Sequence, residues 1–476
     1  MTAFSAMVAS RKLQPLPPDT TDLRQSLLAA LKPFAGQACV LGLSGGLDSV
    51  VLLDLLAQVA PTLQLRPSLV HVNHQLSPFA ADWQQFCVQL AQQYQLPITV
   101  QCVQLQRKGG ESLEAVARDA RYRVYASLGA DVLLLAHHLD DQCETLLLRL
   151  LRGAGVHGLS GMPQQRLLAG TSTTLLRPLL GVGRAELQQY AEARQLRWVS
   201  DESNDDPRFR RNWLRHSVFP LLASVFPNYR RQLAQTAQHL DDAARILDQV
   251  AQADFVGDLA AARLQLDALA QLGEERQRNL LRWFLRQYGL IPSVAWLAQL
   301  RQQMLTAEMD ACPALQIDDW MLERYRGCLY LHRSREMPSA PCIDLRWNGE
   351  AEIRLDQWAG RFLFHTGKGP LTVAEHYLRA APLQVRLRQG GERLRPAAQA
   401  ANRQLKHLLQ ESAMPPWQRR GWPLLWQGEQ LLAVPGVAVA AEFQPQNGES
   451  GVLIEWQPDA PFMLQRTDEK TVLPAD

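Results

Sequence analysis

The sequence predicts an α/β protein, in which a doubly wound parallel sheet is followed by a helical domain and a small α+β domain at the carboxyl-terminal end. Three observations predict this order. Short apolar runs alternate with helical stretches through residues 37–151, a pattern typical of βαβ units. A glycine-rich segment separates the first run from the first helix. Helical spacing of Leu, Ala, Gln and Arg dominates residues 221–305, and strand-like runs return at 347–364.

The alternating region predicts four strands, each followed by a helix. We expect strands at 37–43, 68–72, 98–103 and 132–136, and helices at 48–60, 79–94, 111–128 and 140–151. Strands joined through helices lie parallel, with right-handed crossovers. Because ligands of such sheets bind beyond the carboxyl ends of the strands, the residues that follow each apolar run are the candidates for function.

A chain of 476 residues is too long for one hydrophobic core, so several domains are expected. We predict a flexible tail at 1–20, a catalytic α/β domain at 21–220, a helical domain at 221–345, an α+β domain at 346–457 and a second tail at 458–476. Internal repeats are absent from the sequence. The oligomeric state is left open, with a homodimer as one alternative.

Composition narrows the class of protein. The chain is 47% hydrophobic and 20% charged with a net charge of +2, as in ordinary soluble proteins. No apolar run reaches membrane-spanning length, so we expect a cytoplasmic protein with no membrane partner. The seven cysteines form no CxxC pair, which argues against a disulfide framework, a zinc site or an Fe–S cluster.

The glycine-rich segment is the strongest chemical signal. It reads Ser44, Gly45, Gly46, Leu47, Asp48, Ser49. Glycines let the backbone approach an anion closely, and N–H groups at a helix start hold phosphate oxygens. The Walker A pattern is absent, whereas SGGxDS resembles the loop of the ATP pyrophosphatase (PP-loop) family, which holds the β- and γ-phosphates of ATP. An acid beside phosphates predicts Mg²⁺ on Asp48, with a helix-dipole role as the alternative.

Polar residues also follow the second and fourth predicted strands. His74 is the last residue of the set that follows the second strand, and it is a candidate for a nucleotide contact. The alternative is that His74 has a purely structural role. The second set contains two histidines and three acids, namely His137, His138, Asp140, Asp141 and Glu144. Asp140 suits a helix cap, Asp141 and Glu144 suit a metal or a cationic substrate group, and either histidine suits proton transfer near neutral pH.

The third predicted helix carries a charged face. Spacings of three and four place Glu114, Arg118, Arg121 and Tyr122 on or near one side. A salt-bridged surface is one interpretation. The other is a face turned toward phosphates or a transition state.

Further motifs, taken in order with these, resemble the tRNA(Ile)-lysidine synthase family from about Leu41 to Val437. The motifs are HVNHQLS (71–77), ESLEAVARDARY (111–122), AHHLDDQCET (136–145), Arg152-Gly153, LLRPLL (175–180), DESN (201–204), RNWLR (211–215), RQGGERLRP (388–396) and LKHLLQESAMPPWQRRGWPLL (405–425). One departure is Ser77, where the family pattern usually has Arg; Arg107 or Lys108 is a candidate to compensate.

The resemblance implies an ATP-dependent ligase acting on the wobble cytidine of a CAU-anticodon isoleucine tRNA. The cytosine O2 would be adenylated, and free L-lysine would then displace AMP to give lysidine. Asp48, Arg118 and Asp141 would be catalytic, with Arg118 at the α-phosphate and Arg121 as second choice. The resemblance implies lysine or cytidine contacts from His74, His138, Asp141, Glu144, Arg211, Asn212 and Arg215. Either Asp141 or His138 would accept the proton of the lysine ammonium.

A basic segment near the carboxyl-terminal end predicts contacts with tRNA phosphates. Residues 386–420 contain eight Lys or Arg against two acids, with Trp417 and Trp422 alongside. The candidates for tRNA binding are Arg388, Arg393, Arg395, Lys406 and Arg419. A solvated basic face is the alternative. Arg208, Arg210, Arg211 and Arg215 form a second basic group near the end of the catalytic domain. Two separated basic regions indicate that one domain holds the anticodon while another binds the tRNA body, and we expect tRNA contacts from the domains at 221–345 and 346–457.

Two other functions are alternatives to this ligase. A PP-loop tRNA thiolase normally needs a cysteine pair or a cluster, and the CxxC pattern is missing. A non-catalytic ATP sensor that binds RNA would tolerate neutral residues at Asp48, Asp141 and Glu144, yet all three acids are present. Release of pyrophosphate separates an enzyme from a sensor.

Overall fold

The computed structural model describes residues 20–105, 113–200, 210–308, 311–333, 342–412, 414–446 and 449–458. They form two units, one with the described residues of 20–253 and 285–291 and the other with those of 254–284 and 292–458. Residues 107–108, 201–204 and 208, named above, lie outside the described ranges, as do the side chain of Glu114 and nearly all of both expected tails.

The first unit begins with α1 (Thr20–Leu31) and then follows the predicted alternation. Its next elements are β1 (Ala38–Gly42), α2 (Leu47–Val59), β2 (Arg66–Asn73), α3 (Ala80–Tyr94), β3 (Ile98–Cys102), α4 (Leu113–Ala126), β4 (Val132–Leu134) and α5 (Leu139–Leu151). All eight predicted strands and helices are present, with ends that differ by a few residues.

The remaining elements complete this unit. They are α6 (Val156–Leu159), β5 (Gln165–Leu167), β6 (Thr174–Leu176), α7 (Arg184–Ala193), α8 (Arg210–Trp213), α9 (Phe219–Val225) and α10 (Tyr229–Asp254). A wide π-type turn at Leu214–Val218 joins α8 to α9, a local geometry that is frequent at functional sites.

The sheet of the first unit is doubly wound, as predicted. Its strand order is β3-β2-β1-β4-β6-β5, and every neighbouring pair is parallel except β5 with β6. The chain leaves β1 toward β2 and β3 on one side and returns to β4 and β6 on the other. The carboxyl ends of β1 and β4 therefore flank the point where the winding reverses, which is where such sheets bind ligands.

Alternating side chains of β1 fill two layers. Cys39 and Leu41 pack with α1, α2, α3 and α7 on one face, while Val40 packs with Tyr125 of α4 on the other. Most of α2 is buried, which accounts for its almost wholly apolar sequence. This double covering fixes the edge of the sheet where the functional residues lie.

The second unit begins with a mixed region. Its elements are β7 (Gly257–Asp258), β8 (Arg263–Gln265), α11 (Leu266–Ala270), α12 (Glu274–Arg286), α13 (Val294–Thr306), β9 (Ala314–Ile317), β10 (Trp320–Tyr325) and β11 (Cys328–Arg333). The expected helices are present, and the structure adds a five-stranded sheet in the order β7-β8-β11-β10-β9. These strands are short and mostly half-exposed, so their sequences lack the apolar runs by which strands are predicted.

The rest of the second unit is α+β. It contains β12 (Cys342–Leu345), β13 (Glu352–Leu355), β14 (Gly360–Gly367), β15 (Thr372–Ala374), α14 (Glu375–Ala380), β16 (Leu383–Arg386), β17 (Arg393–Leu394), β18 (Arg403–Gln404), α15 (Leu405–Glu411), α16 (Pro416–Arg420), β19 (Leu424–Gln427), β20 (Gln430–Val434), β21 (Ala438–Val439) and β22 (Gly451–Pro458). Two sheets, β12-β16-β19-β20-β21 and β13-β14-β22-β15, share a core that includes Trp358 and Phe362. None of the helices that the structure describes is long and apolar enough to cross a bilayer.

Candidate active site

The glycine-rich segment lies between β1 and α2. The β1 strand ends at Gly42, and α2 begins at Leu47 with Gly46 as its N-cap. Ser44 Oγ lies 3.0 Å from Ser49 Oγ, and Ser49 Oγ donates to the Gly46 carbonyl at 2.9 Å. These bonds hold the turn closed. Helix geometry leaves the first N–H groups of α2 without a carbonyl partner in the helix, as an anion site requires.

The two glycines of this loop differ in backbone conformation and in the space around them. Gly45 has a φ of +86°, and a Cβ there would lie 3.0 Å from Val199 Cγ2 and 3.1 Å from Cys87 Sγ. Gly46 has a φ of −73°, and a Cβ there would meet Ser44 Oγ at an ordinary 3.5 Å. The conformation therefore requires glycine at 45 but not at 46.

The loop after β1 and the start of α5 meet at His138. His138 Nε2 lies 3.6 Å from Asp48 Oδ2 and 3.5 Å from Asp141 Oδ2. Asp141 Oδ2 also accepts the His138 backbone N–H at 3.0 Å, so Asp141 rather than Asp140 caps this helix start. The His138 side chain is almost fully buried, and that of Asp48 is 30% exposed. Two of the predicted catalytic acids thus flank one imidazole.

The histidines at the strand ends have opposite electrostatic surroundings. Burial lowers the pKa of His138, but the contact with Asp48 and the charge of Asp141 outweigh it, so the net shift is upward. Burial lowers the pKa of His137, and nearby arginines add to this effect. Burial and the charge of Arg121 lower the pKa of His74 to about 4. His74 and His137 are consequently neutral at physiological pH, whereas His138 is the histidine of this edge that holds a proton most strongly.

Glu144 and Arg215 form a buried ion pair. The Arg215 Nη2 donates to Glu144 Oε2 at 3.0 Å, and its Nε donates to Glu144 Oε1. The same Nη2 reaches Asp141 Oδ1 at 3.3 Å. Since the Glu144 side chain is fully buried and both its oxygens engage Arg215, it is not open to a substrate ammonium in this arrangement. Glu144 instead orients Arg215 over Asp141.

Asp140 is held from two sides. Its Oδ2 accepts the Arg184 backbone N–H at 3.0 Å, and its Oδ1 accepts from Arg230 Nε. Burial alone would raise the pKa of Asp140, but these two donors outweigh it and hold the pKa below its ordinary value. Sequence patterns do not predict a role for Arg230, since its partner lies 90 positions away.

Apolar packing puts these cations in place. Four buried residues, Cys143, Leu214, Phe219 and Tyr229, form a cluster between α5 and the segment 210–230. Arg215 and Arg230 each follow a member of this cluster directly. The buried neighbours therefore set which cations face the acids of α5.

Asp48 fits the predicted role as a Mg²⁺ ligand. Its Oδ1 is buried without a hydrogen-bond partner among the described residues. No group of three or more His, Cys, Asp or Glu in those ranges is arranged to hold a metal, so a cage made only of protein ligands is not formed there. Mg²⁺ that enters with nucleotide needs only one or two carboxylates, because phosphates and waters complete its shell.

The charged face predicted on α4 carries arginines beside an aromatic ring. Arg118 Cζ lies 5.1 Å from the centroid of Tyr122, and Arg166 Cζ, from β5, lies 5.5 Å from it. No ion pair joins Arg118 or Arg121 to an acid of the described chain. The side chain of Glu114, the acid predicted for this face, lies outside the described ranges, so both interpretations of the face stay predictions. Arg166 and Arg177 were missed, although Arg177 directly follows β6 at the edge where ligands are expected.

The remaining predicted substrate residues are placed as follows. Asn212 of α8 is buried, and Arg211 beside it is close enough to lower the pKa of Arg118. Ser77 Oγ accepts the Phe79 N–H at 3.2 Å, so this serine closes the turn before α3. The two residues suggested to compensate for the missing arginine, at 107–108, lie outside the described ranges.

Three of the predicted tRNA contacts have partners within the second unit. Arg388 Nε lies 3.5 Å from Glu392 Oε2, and Arg395 Nη2 lies 3.7 Å from Glu442 Oε2. Arg419 Nη2 donates to the hydroxyl of Tyr325 at 3.0 Å.

Arg393 and Lys406 differ from these three. The Arg393 side chain donates to the Asn402 carbonyl at 3.2 Å, and Lys406 is exposed. Neither forms an ion pair with an acid in the ranges described.

Trp417 does not present an open ring to RNA. Its ring stacks on His332 at 4.8 Å and 12°, and it contacts Tyr330 at 5.2 Å and Tyr325 at 6.2 Å. Trp422 Nε1 donates to the Pro435 carbonyl at 3.0 Å, and its ring packs on the α+β core. Both tryptophans thus contribute to packing within the second unit, and both remain half-exposed.

Comparison with known proteins identifies the domains and the relatives of this chain. A PP-loop domain model matches residues 19–222, a TilS substrate binding domain model matches 264–330, and a TilS substrate C-terminal domain model matches 383–456. The tRNA(Ile)-lysidine synthase of Nitrosomonas europaea is 38% identical over 93% of this chain and 96% of its own length. That of Pseudomonas syringae pv. tomato is 40% identical over 88% of this chain and 93% of its own.

Such identity over nearly the whole length of both chains, together with a phosphate loop and an acid cluster at one sheet edge, settles the family. The chain belongs to the tRNA(Ile)-lysidine synthases.

Proposed function

We propose that this chain joins free L-lysine to C2 of the wobble cytidine in a CAU-anticodon isoleucine tRNA, at the expense of ATP. The observation that carries the proposal is the meeting of Asp48, from the phosphate loop, and Asp141, from α5, at His138. Nucleotide activation and amine attack need both sets of groups in one place. The reaction belongs in the cytoplasm, where ATP, lysine and tRNA occur together.

The first step is adenylation of the base. The O2 of cytosine attacks the α-phosphorus of ATP, and the bond to the β-phosphate breaks to release pyrophosphate. The N–H groups and serines of 44–49 hold the departing phosphates. Arg118, with Arg121 beside it, offsets the charge on the α-phosphate. Mg²⁺ on Asp48 would supply further positive charge to the phosphates.

The second step is attack by lysine. A carbonyl oxygen leaves a ring poorly, whereas AMP leaves well, so the ε-amine displaces AMP from C2. Asp141 receives the lysine ammonium, since its side chain is partly exposed. The adjacent His138–Asp141 pair takes the proton that an amine of pKa about 10.4 must lose before attack. Glu144 acts as a positioning residue through Arg215.

Contacts with tRNA come from both later domains. We assign the strongest of these to Arg393 and Lys406, whose charges no described carboxylate neutralises, and weaker ones to Arg388, Arg395 and Arg419. A target in a loop is chemically sensible, because the cytosine must leave its stack to react.

The test is incorporation of labelled lysine into a CAU-anticodon isoleucine tRNA transcript with ATP and Mg²⁺. Asp48→Asn is expected to lower the rate at least about a hundredfold, since it removes a charge that orders the phosphates. Asp82→Asn is the matched control, because Asp82 is also an acid in a helix first turn but is exposed on α3. It should retain the wild-type rate.

Other outcomes separate the rival functions. Full labelling of the tRNA by Asp48→Asn would mean that the loop takes no part in the reaction. Pyrophosphate release without labelling in the wild type would keep adenylation and point to another nucleophile or RNA. Neither product in the wild type would favour an ATP sensor.

A further inference from the structure

Four arginines surround one tyrosine at the same sheet edge, and we name this group the Tyr122 cluster: Tyr122, Arg118, Arg121, Arg166 and Arg177. Arg118 and Arg166 approach the Tyr122 ring at 5.1 Å and 5.5 Å. Arg177 is only 2% exposed, and its Nη1 donates to the Pro163 carbonyl at 2.8 Å. Tyr122 is half-buried and lies between these cations.

The positive charge of this cluster is not offset by the described protein. No ion pair links any of its arginines to a carboxylate in the ranges described, and Arg177 Nε is buried there without a hydrogen-bond partner. Burial and the neighbouring arginines lower the pKa of Arg177 to about 10, although Tyr122 acts in the opposite direction. Guanidinium groups gathered without an acid are unfavourable unless an anion joins them.

The cluster extends away from the phosphate loop. Arg121 is close enough to His74, at the end of β2, to lower its pKa, and so faces the nucleotide side. Arg177 follows β6, and Arg166 belongs to β5, the strand at the far edge of the order β1-β4-β6-β5. With strands roughly 4.8 Å apart, β5 lies about 14 Å from β1 along the sheet. Arg166 and Arg177 thus come from the strands on the far side of β4 from the phosphate loop.

We propose that Arg166 and Arg177, steadied by Tyr122, bind a backbone phosphate of the RNA strand next to the reacting cytidine. The proposal rests on the function proposed above, which requires a tRNA loop at this edge. A guanidinium matches a phosphate with two parallel hydrogen bonds, and stacking on Tyr122 restricts the Arg166 and Arg118 planes.

The test uses the full-length protein and the CAU-anticodon tRNA transcript. Arg166→Gln is suitable because Arg166 is half-exposed, so the fold should tolerate it. We expect tRNA binding to weaken about tenfold at moderate salt, and the slope of log affinity against log salt to fall by about one. The KM for ATP should stay within about twofold of wild type. Arg166→Lys should restore the salt slope, because it restores the charge.

Arg123→Gln is the matched control. Arg123 lies on the exposed face of the same helix and loses the same charge, so tRNA affinity and slope should remain those of the wild type. A second probe is an anticodon stem-loop RNA with a neutral methylphosphonate at the linkage beside the cytidine. Arg166→Gln should weaken binding of the ordinary RNA but not of this one.

Three results would overturn the proposal. A raised KM for ATP with unchanged tRNA affinity would assign the cluster to ATP phosphates. Unchanged affinity for both would mean that it binds neither. An equal loss of tRNA affinity in Arg123→Gln would mean that the effect comes from the overall charge of the protein and not from a specific contact. Because binding is measured without lysine transfer, the two proposals can fail separately. If the binding results are those expected here but no labelled product forms, the ligase function is contradicted and the phosphate site is not.

Discussion

Two charged regions at one edge of the first sheet are built on opposite plans. In the acid cluster of α5, which we define as Asp140, Asp141 and Glu144, each carboxylate meets Arg215 or Arg230. In the Tyr122 cluster, no arginine meets a carboxylate of the described chain. Matched charges fix a geometry before substrate arrives. Unmatched cations can pair with an anionic group of the substrate.

The two plans have different consequences for stability. A matched, buried pair resists disruption, because loss of one partner leaves the other charged and desolvated. An unmatched cluster repels itself until an anion binds, so it lowers the stability of the free protein. Substitutions in the two regions should therefore change stability in opposite directions.

The largest effect is expected in the matched region. Glu144→Gln should lower the free energy of unfolding by about 3 kcal/mol, because Arg215 loses its buried partner. Arg215→Met should be similarly destabilising, since it leaves Glu144 charged and fully buried. The double substitution should cost much less than the sum, and the difference is read from a double-mutant cycle of urea unfolding.

A surface pair provides the control for this cycle. Glu274 and Arg278 form an i,i+4 pair with 51% and 34% exposure, and their coupling should be at most about 0.5 kcal/mol. Additive losses at Glu144 and Arg215 would show that the acid cluster is not held as a matched set.

The loop between β1 and α2, which we propose to bind phosphates through its backbone, sharpens the comparison, since such binding needs no cationic side chain. Gly45→Ala should cost about 1–2 kcal/mol of stability from the left-handed φ alone, with crowding against Val199 and Cys87 in addition. ATP binding should fall with it, because the N–H groups are displaced. The measurements are thermal unfolding and ATP affinity.

Gly46→Ala is the paired variant. Its φ is ordinary and its Cβ meets nothing closer than 3.5 Å, so stability and ATP affinity should change little. Equal losses at both positions would contradict a loop shape fixed by Gly45.

The sequence predicted the frame of this site well. Apolar runs and helical spacing are local, and they placed all eight elements around β1 and β4. Asp48, Asp141 and His138 were predicted because each follows a strand, and the structure brings their side chains together. The five-stranded sheet of the second unit was not found, because strands such as β9 alternate between half-buried and exposed positions.

Pairings across the chain were beyond local patterns. Glu144 and Arg215 are 71 positions apart, and Asp140 and Arg230 are 90 apart. Only the packing of Leu214 and Tyr229 brings them together. Composition likewise associated Trp417 with RNA, whereas its ring is covered by His332 and two tyrosines. Counting charges shows that cations are abundant but not which of them are already neutralised.

The distinction between matched and unmatched charges should also predict which basic residues of the second unit bind tRNA. Lys406→Ala should weaken tRNA binding several-fold and lower the salt slope by about one, because its charge is unmatched. Arg403→Ala should change both much less, since Arg403 is already paired with Glu411. The measurement is a salt titration of tRNA affinity. Equal effects of the two variants would mean that pairing in the free protein does not predict RNA contacts.

The smallest expected effect is the most discriminating, because its sign is opposite to the usual one. Arg166→Gln should raise the free energy of unfolding of the unliganded protein by about 0.5 kcal/mol at low salt, since it relieves repulsion among like charges. Arg123→Gln, on the exposed face of α4, should leave it nearly unchanged. Added salt should shrink the gain, because it screens the repulsion. A destabilised Arg166→Gln would mean that Arg166 supports the fold. The Tyr122 cluster would then not show the stability effect expected of unmatched charges.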